Sequence, residues 1–291
     1  MISIIIASVN PSYLSSIKQN IEDTIGTPYE IISVDNADAN RGLCEIYNEC
    51  ANKARYEILC FMHEDLKILT PDWGLKVIDI MRNENIGLLG VAGATYKTLA
   101  PSGWGCPGIH KLSNKVNIIQ HYKFDKQEAR HDFFNADNDK LVRVACIDGV
   151  WMCTRKTIAQ EMKFDENLLK YFHGYDIDFS LSVAAKYEVA VTYEVLMEHF
   201  SEGNFSINWL DSALSVNAKH LKMLPMNYGG FSKKQRITTE KLSFKLLLNM
   251  LSDQGYGILG KMGVFWKFQM YRVLGFKQTL LFQLNILIGR Y

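Results

Sequence analysis

The amino-acid sequence predicts an α/β protein built on an open, twisted, mostly parallel sheet with helices packed against it. Strand-like and helix-like segments alternate four times between residues 2 and 94, which is typical of consecutive β-α units with right-handed crossovers. The strand-like segments are continuous apolar runs, as expected for parallel strands buried on both faces. A chain of 291 residues with 48% hydrophobic and 22% charged residues has globular composition, which excludes global disorder.

Local signals predict each element of this repeating part. Residues 2–8 (ISIIIAS) are rich in β-branched side chains and predict the first strand. Asn10 and Pro11 form a good N-cap and first-turn pair, and apolar residues then recur at helical spacing. By the same reasoning we expect strands at 29–35, 56–62 and 86–94, and helices at 43–54 and 70–82.

The sequence after residue 96 predicts a different organisation. Residues 97–140 are rich in Gly, Pro, Asn, Asp and His and indicate a long surface excursion, of the kind that forms binding loops or lids. Regular structure resumes with a strand at 141–155, a helix at 176–186 and a strand at 188–199. We expect a main domain over 1–230, divided near residues 96 and 140, and a helical extension over 231–291.

The net charge of +1 hides a strong asymmetry along the chain. Residues 233–291 contain ten Lys or Arg and two acidic residues, a net charge of +8, whereas residues 1–232 have a net charge of −7. Phe, Trp, Leu and Met are interleaved with these cations, which favours an anionic membrane surface over nucleic acid as the partner. Packing on the main domain, or on a second copy in a homodimer, is the alternative.

Several features favour a cytoplasmic protein, attached peripherally to the cytoplasmic face of the membrane through the extension. The six cysteines form no C-x-x-C pair, so neither a zinc site nor a dense disulfide framework is indicated. The first ten residues lack the basic segment and the cleavage site of a signal peptide. No uncharged apolar run reaches the roughly 18 residues that a membrane-spanning helix requires.

Polar side chains follow most of the predicted strands at their carboxyl ends. In an open parallel sheet these ends form one edge, where ligands bind. The side chains are those of Ser8 and Asn10, Asp35 and Asn36 with the 38–42 loop, His63 and Asp65, Asp148 with Gly149, and His199. Because G-x-x-x-x-G-K-[ST] is absent and no G-x-G-x-x-G follows the first strand, a nucleotide would have to be held by side chains and a metal ion. His63, Asp65 and His199 would suit a divalent ion bridging two phosphates.

Three motifs carry a resemblance to a known family. They are F-M-H-E-D-L at 61–66, Y-F-H-G-Y-D-I-D-F-S-L at 171–181 and E-H-F-S-E-G at 198–203, preceded by V-D-N at 34–36 and the Asn40-Arg41-Gly42 loop. Together they resemble the GT-A-fold glycosyltransferases, and more narrowly the glycosyltransferase-like branch of the large inverting family with H-x-D, Y-D-x-D and H-x-S-x-G signatures. The resemblance covers roughly residues 1–225. It implies a nucleotide-binding half at 1–96 and an acceptor half at 141–230.

The resemblance implies a role for each matching residue. Asp65, His63 and His199 would contact a divalent metal, Mn²⁺ or Mg²⁺. Asp176 falls where the family places its general base, and Asp178 lies just beyond it. The residues that would bind the nucleotide sugar are Ser8, Asn10, Asp35, Asn36, Arg41, Gly42, Asp148 and Gly149.

Two positions depart from the family pattern. His63 stands where the family usually has an Asp, which puts the strength of metal binding in doubt. Tyr175 stands where the family commonly has a Glu before the base, so one acceptor contact would be missing. Trp104, Trp151 and Trp209 could stack on sugar rings or simply pack in the core or a lid.

The function implied is inverting transfer of a sugar from a nucleotide-diphosphate donor to a hydroxyl acceptor. The acceptor would be a saccharide or a lipid-linked sugar, in cell-surface polysaccharide or glycolipid assembly. One alternative is a catalytically silent protein of the same fold that binds nucleotides or glycans. A nucleotidyltransferase is a further alternative, disfavoured because the first loop lacks glycine and arginine.

Overall fold

The computed structural model describes residues 1–38, 40–122, 127–201, 203 and 206–289. A few residues of the 97–140 excursion, of the 198–203 motif and of the extension therefore lie outside the described part. The helices are α1 (Pro11–Thr24), α2 (Leu43–Lys53), α3 (Trp73–Met81), α4 (His110–Ser113), α5 (Lys156–Met162), α6 (Tyr175–Ala184), α7 (Ile207–Lys219), α8 (Lys233–Asp253), α9 (Ile258–Lys267) and α10 (Tyr271–Leu287). The strands are β1 (Ile2–Ser8), β2 (Tyr29–Asp35), β3 (Ile58–Met62), β4 (Leu66–Ile68), β5 (Ile86–Gly90), β6 (Ala92–Ala94), β7 (Tyr96–Lys97), β8 (Asn114–Gln120), β9 (Arg130–Phe134), β10 (Leu141–Val144), β11 (Cys146–Ile147), β12 (Trp151–Arg155), β13 (Glu188–Thr192), β14 (Met197–His199) and β15 (Met226–Asn227).

The main sheet of the described chain has seven strands in the order β10-β13-β5-β12-β3-β1-β2. β2, β1 and β3 pair in parallel, as do β5 and β13. β12 lies antiparallel between β3 and β5, and β10 is antiparallel at the edge. Five of the seven strands therefore point in one direction, which confirms the α/β class and the mostly parallel sheet.

The first β-α unit forms for the reasons that the sequence suggests. The isoleucines of β1 are fully buried, since helices and the second sheet cover both faces of the main sheet. Asn10 caps α1 because its side-chain oxygen accepts hydrogen bonds from the amides of Ser12 and Tyr13. The helix then turns its buried face, including Ile17 and Ile21, toward the sheet.

A second sheet contains β11-β6-β8-β14-β4, with β9 paired to β8. Three segments predicted as single strands, 86–94, 141–155 and 188–199, are each divided between the two sheets. Those boundaries were wrong because apolar residues continue on both sides of each break, so the sequence pattern does not reveal it. The 97–140 region is also more regular than expected, since β7, β8 and β9 reach into it and β8 is central in the second sheet.

The extension packs on the rest of the molecule. Apolar side chains of α8, α9 and α10, among them Phe244, Phe265 and Phe282, share one buried cluster with residues of the main sheet. In addition, the carboxylate of Glu240 in α8 is fully buried against the segment that follows β7. Among the described residues, no helix is both long and apolar enough to cross a bilayer.

Candidate active site

His63, Asp65 and His199 meet at the carboxyl end of β3. The chain leaves β3, passes through His63 and Asp65, and enters β4 of the second sheet. β14 pairs with β4 on one side and β8 on the other, and so places His199 opposite Leu66. Nδ1 of His63 lies 4.0 Å and Nε2 of His199 lies 3.8 Å from Oδ1 of Asp65. One ligand atom from each residue fits within a 4.8 Å span, as the sequence predicted.

Gln120 orients the imidazole of His199. The amide nitrogen of Gln120 donates to the carbonyl oxygens of His121 (2.6 Å) and Ser201 (2.7 Å), which fixes the orientation of the amide. Its Oε1 lies 3.1 Å from Nδ1 of His199, so this nitrogen carries the proton and donates. The lone pair of Nε2 consequently faces Asp65, with the Ser201 hydroxyl 3.4 Å away.

Tyr175 orients His63 in the same manner. The Tyr175 hydroxyl donates to the carbonyl oxygen of Gly149 (3.1 Å) and lies 2.9 Å from Nε2 of His63. Because burial raises the pKa of Tyr175, the hydroxyl keeps its proton and accepts from Nε2. Nδ1 of His63 is then the unprotonated nitrogen, and it faces Asp65.

These donors fit a divalent metal ion. The distances to Asp65 are too long for hydrogen bonds, and both histidines present a lone pair toward the carboxylate. Each imidazole donates its other N–H to a fixed oxygen, which is the usual support of a metal-binding histidine. Two nitrogens and one carboxylate oxygen suit a first-row transition ion such as Mn²⁺ better than Mg²⁺, which prefers oxygen.

Asp176 and Asp148 lie beside this cluster and share the turn at Gly149. The amide of Gly149 donates to Oδ2 of Asp176 at 3.2 Å. Asp148 accepts from Nε1 of Trp104 (2.6 Å) and from the amide of Val150 (2.8 Å). Burial, and then the negative charge of Asp148, raise the pKa of Asp176 to about 7, against the opposing effect of hydrogen bonds from backbone amides.

Asp178 lies elsewhere, although it is only two residues from Asp176. Its side chain is fully buried and contacts the end of α7, with Nζ of Lys219 at 2.8 Å and Nε2 of His220 at 2.8 Å. A separation of two residues on α6 turns the two carboxylates to different sides of the helix. Asp178 therefore joins α6 to α7, and we do not propose it as a catalytic residue.

Ser8 and Asn10 contact protein groups at the start of α1. The Ser8 hydroxyl is buried and donates to Oε2 of Glu64 at 2.5 Å. Oε1 of the same carboxylate accepts from the amides of Val9 (3.1 Å) and Asn10 (2.9 Å). Glu64 thereby ties the β1–α1 turn to the loop of His63 and Asp65. The predicted contact of Ser8 and Asn10 with a nucleotide stays a prediction.

The residues after β2 form a compact loop. Asp35 accepts from the amide of Ala37, and the side chain of Asn36 bonds both the amide and the carbonyl of Arg41. The Arg41 guanidinium is directed along α2 to two acidic residues, Glu45 and Glu49. Gly42 lies so close to the carbonyl of Lys170 that a Cβ would be only 2.6 Å from its oxygen. These contacts account for Asn36, Arg41 and Gly42 without a ligand; Asp35 is exposed at the sheet edge.

Comparison with known proteins identifies the family. Residues 3–203, more than half of the chain, match the model of the Glycosyltransferase like family. The chain belongs to this family. The match includes the metal-site candidates and Asp176. No curated protein sequence matches this glycosyltransferase-like protein.

Two solved structures resemble this glycosyltransferase-like protein. GalNAc-T7 with UDP, GalNAc and Mn²⁺ matches with a TM-score of 0.50 and 11% identity, covering 75% of this chain and 48% of that one. S. aureus TarS 1-349 in complex with UDP-GlcNAc matches with a TM-score of 0.48 and 11% identity, covering 100% and 92%. The chain thus spans about half the length of the GalNAc-T7 structure. At such low identity the likeness shows the fold, and the expected GT-A fold of this family member is confirmed.

The sequence did not predict which residues of this glycosyltransferase-like protein support the candidate site. Tyr175 was noted as a departure from the family pattern, and its contact with His63 was not foreseen. Gln120 lies in a stretch with no motif, so only its strand pairing reveals it. Glu64 lies between His63 and Asp65 in F-M-H-E-D-L, but its hydrogen bonds with Ser8 and with the amides of Val9 and Asn10 were not predicted.

Proposed function

We propose that this protein transfers a sugar from a nucleotide-diphosphate sugar to a hydroxyl acceptor with inversion at the sugar carbon. The observation that carries the proposal is the convergence of His63, Asp65 and His199 beside Asp176 at one edge of a GT-A sheet. Family membership supports transferase activity. UDP is the donor nucleotide we favour, because GalNAc-T7, which shares the fold, was solved with UDP and Mn²⁺.

His63, Asp65 and His199 would hold the divalent ion. When bound, the ion would neutralise charge on the diphosphate leaving group. Gln120 and Tyr175 keep both imidazoles in the tautomer that presents a lone pair to this position. Loss of either support should therefore weaken metal binding even though neither residue is a ligand.

Asp176 would act as the general base. Its carboxylate takes the proton from the acceptor hydroxyl while the acceptor oxygen forms a bond to the sugar carbon. The bond from that carbon to the diphosphate breaks, and the nucleoside diphosphate leaves with the electron pair. A pKa near 7 suits this role, because the group is ionised at neutral pH and still basic enough to accept a proton.

The acceptor surface would include the exposed aromatic side chain of Phe172. Its ring lies 5.7 Å from the ring of His63, and the side chain is about half exposed. Aromatic faces pack against sugar rings, so Phe172 and Trp104 are candidates for acceptor or donor stacking. The place we propose for the reaction is cell-surface polysaccharide or glycolipid assembly on the cytoplasmic side. All six cysteines, each among the described residues, are buried and free, which supports a reducing compartment.

The test measures release of nucleoside diphosphate from a panel of nucleotide sugars with Mn²⁺. We expect release by the parent and a fall of at least about 100-fold in Asp65→Ala, and a similar fall in Asp176→Asn with donor binding retained. Asp79→Asn, on α3 and largely exposed, is the matched control and should keep full activity.

Either of two results would contradict this proposal and indicate a different function. If the parent is stabilised by nucleotide sugars against heat but releases no nucleoside diphosphate, the protein is a catalytically silent binding protein. If it releases pyrophosphate from a nucleoside triphosphate, it is a nucleotidyltransferase.

A further inference from the structure

Helix α10 is apolar on two opposite sides. Its inner side packs on the protein through Phe282 and Ile286, and the Phe282 ring lies 5.5 Å from that of Phe244 in α8. On the other side, apolar residues recur every three or four positions and therefore form one stripe. That stripe contains Phe276, Leu280, Leu281, Leu284, Leu287 and Ile288, all exposed, with Phe276 at 82%. A helix that is apolar all round is normally covered on both sides.

The region around α9 continues this exposed apolar surface. Leu259 is 85% exposed, and Tyr256 and Ile258 beside it are exposed as well. Trp266 and Tyr271 are both exposed, with ring centroids 5.7 Å apart at the junction of α9 and α10. Trp and Tyr are enriched where a protein meets the headgroup level of a bilayer, since they combine an apolar ring with a polar atom.

The charges on this surface have one sign. No residue from 254 to 291 is acidic, whereas five are Lys or Arg. Lys267 and Lys277 are exposed, and so is Arg272, whose guanidinium donates to the carbonyl of Leu221. Residues 1–232, in contrast, have a net charge of −7. An anionic surface would thus attract this end of the molecule and repel the remainder, which fixes the orientation of approach.

The charge of this surface also discriminates between the partners that could cover it. A second copy docked symmetrically on this face would bring the same cations together, with Asp253 at the end of α8 as the one exposed acidic residue in the adjoining described chain. Nucleic acid would meet large apolar side chains instead of polar groups. A bilayer with anionic lipids matches both the apolar stripe and the cations.

We propose that α9, α10 and the 256–258 segment form a surface that binds an anionic lipid bilayer and lies in its headgroup region. The inner sides of α9 and α10 remain packed on α8, and Glu240 joins α8 to the main domain. The docked helices are therefore attached firmly to the domain that carries the candidate active site. Peripheral attachment was expected from composition, and the exposed side chains of α9 and α10 are those that would contact the lipid.

The experiment is co-sedimentation of the purified full chain with vesicles. One set is phosphatidylcholine alone, and the other contains equal parts of phosphatidylcholine and phosphatidylglycerol. We expect binding to the anionic vesicles, weakened by salt. The triple variant Leu259→Ser, Phe276→Ser, Leu280→Ser should lose at least about 100-fold in partitioning, because three side chains no longer enter the bilayer. The pair Lys267→Glu, Lys277→Glu should lose the preference for anionic vesicles.

The control changes three exposed apolar residues on other surfaces, in the triple variant Leu75→Ser, Leu112→Ser, Phe133→Ser. It should bind vesicles like the parent. All substitutions are at exposed positions, and unchanged thermal unfolding will show that the variants fold. The proposal is overturned if the parent does not bind anionic vesicles. It is also overturned if the triple variant Leu259→Ser, Phe276→Ser, Leu280→Ser binds them as well as the parent. It is also overturned by a third result. In that result, light scattering shows that the parent is a dimer and that the triple variant Leu259→Ser, Phe276→Ser, Leu280→Ser is a monomer, and the parent does not bind vesicles.

Discussion

The environment of Asp176 differs from that of an ordinary, solvent-exposed Asp side chain, and the difference indicates a function. Asp176 lies in the first turn of α6, in the sequence pattern D-I-D, and an acidic residue near a helix N-terminus is commonplace. The structure adds Asp148 across the Gly149 turn and a buried setting, and together these raise the pKa of Asp176 to about 7 from an ordinary 3.8. A shift of this size, caused by burial together with a specific neighbouring charge, is typical of a functional group.

The raised pKa of Asp176 predicts opposite effects on activity and stability. If Asp176 is the base, the parent's kcat/KM should rise with pH and level off above about 7. The folded state holds the proton more tightly than the unfolded state, so this group's contribution to stability is present below pH 4 and is lost as pH rises to 7.

Asp176→Asn should therefore lose activity and gain stability at pH 8, by up to about 4 kcal/mol, with little difference from the parent at pH 4. Thermal unfolding of both proteins at the two pH values measures the gain, and Asp79→Asn serves as the control. A variant less stable than the parent at pH 8, or a flat activity profile between pH 5 and 8, would contradict the assignment.

At the scale of elements, the second sheet brings the metal-site candidates together. β4, β14 and β8 lie side by side, so that Asp65, His199 and Gln120 meet although they are far apart in the chain. The sequence indicated the strand ends but not that each long apolar run changes sheet. Because the pairing of β8 with β14 is a long-range contact, local periodicity carries no record of it.

Helix α8 is joined to the main domain by a buried carboxylate. Glu240 accepts from the Tyr96 hydroxyl (2.9 Å) and from the amides of Leu99 (2.8 Å) and Ala100 (3.1 Å). These amides belong to the segment leading to Trp104, which contacts Asp148 in the candidate site. The position of α8 and the geometry of the site are thus connected by consecutive hydrogen bonds.

We expect Glu240→Ala to destabilise the protein by about 3 kcal/mol or more, because it leaves three buried donors without an acceptor. Chemical denaturation measures the loss. Glu161→Ala, which removes an exposed ion pair with Lys186 and a long hydrogen bond from the Tyr187 hydroxyl, should change the free energy of unfolding by less than about 1 kcal/mol. Equal effects of the two substitutions would show that α8 is not held by Glu240.

At the scale of the whole molecule, the extension and the main domain share one core. Phe244 and Phe265 in the extension belong to the same buried cluster as Phe61 in β3 and Phe179 in α6. The sequence suggested a separable segment because its charge differs so strongly from that of residues 1–232. Five of its cations, Lys233, Lys234, Lys267, Arg272 and Lys277, are exposed, whereas the surface that packs on the main domain is mostly apolar and contains the buried Glu240.

A chain ending at residue 232 should consequently unfold at a lower temperature than the full chain or aggregate, since it exposes the apolar surface that α8 covers. Thermal unfolding followed by circular dichroism tests this, with a chain ending at Ile288 as the control. If the truncated chain unfolds at the parent's temperature, the extension is an independent module.

The sequence by itself determined the α/β class, the first β-α units, the family motifs and the charge asymmetry, because these depend on local patterns and composition. It also indicated His63, Asp65 and His199, since side chains at strand ends gather along one edge of a parallel sheet, and Asp176 through the family resemblance. Only the tertiary structure decided which neighbours orient and tune them. The roles of Gln120, Tyr175 and Glu64, the separation of Asp178 from Asp176, and the two apolar sides of α10 all depend on contacts between distant parts of the chain.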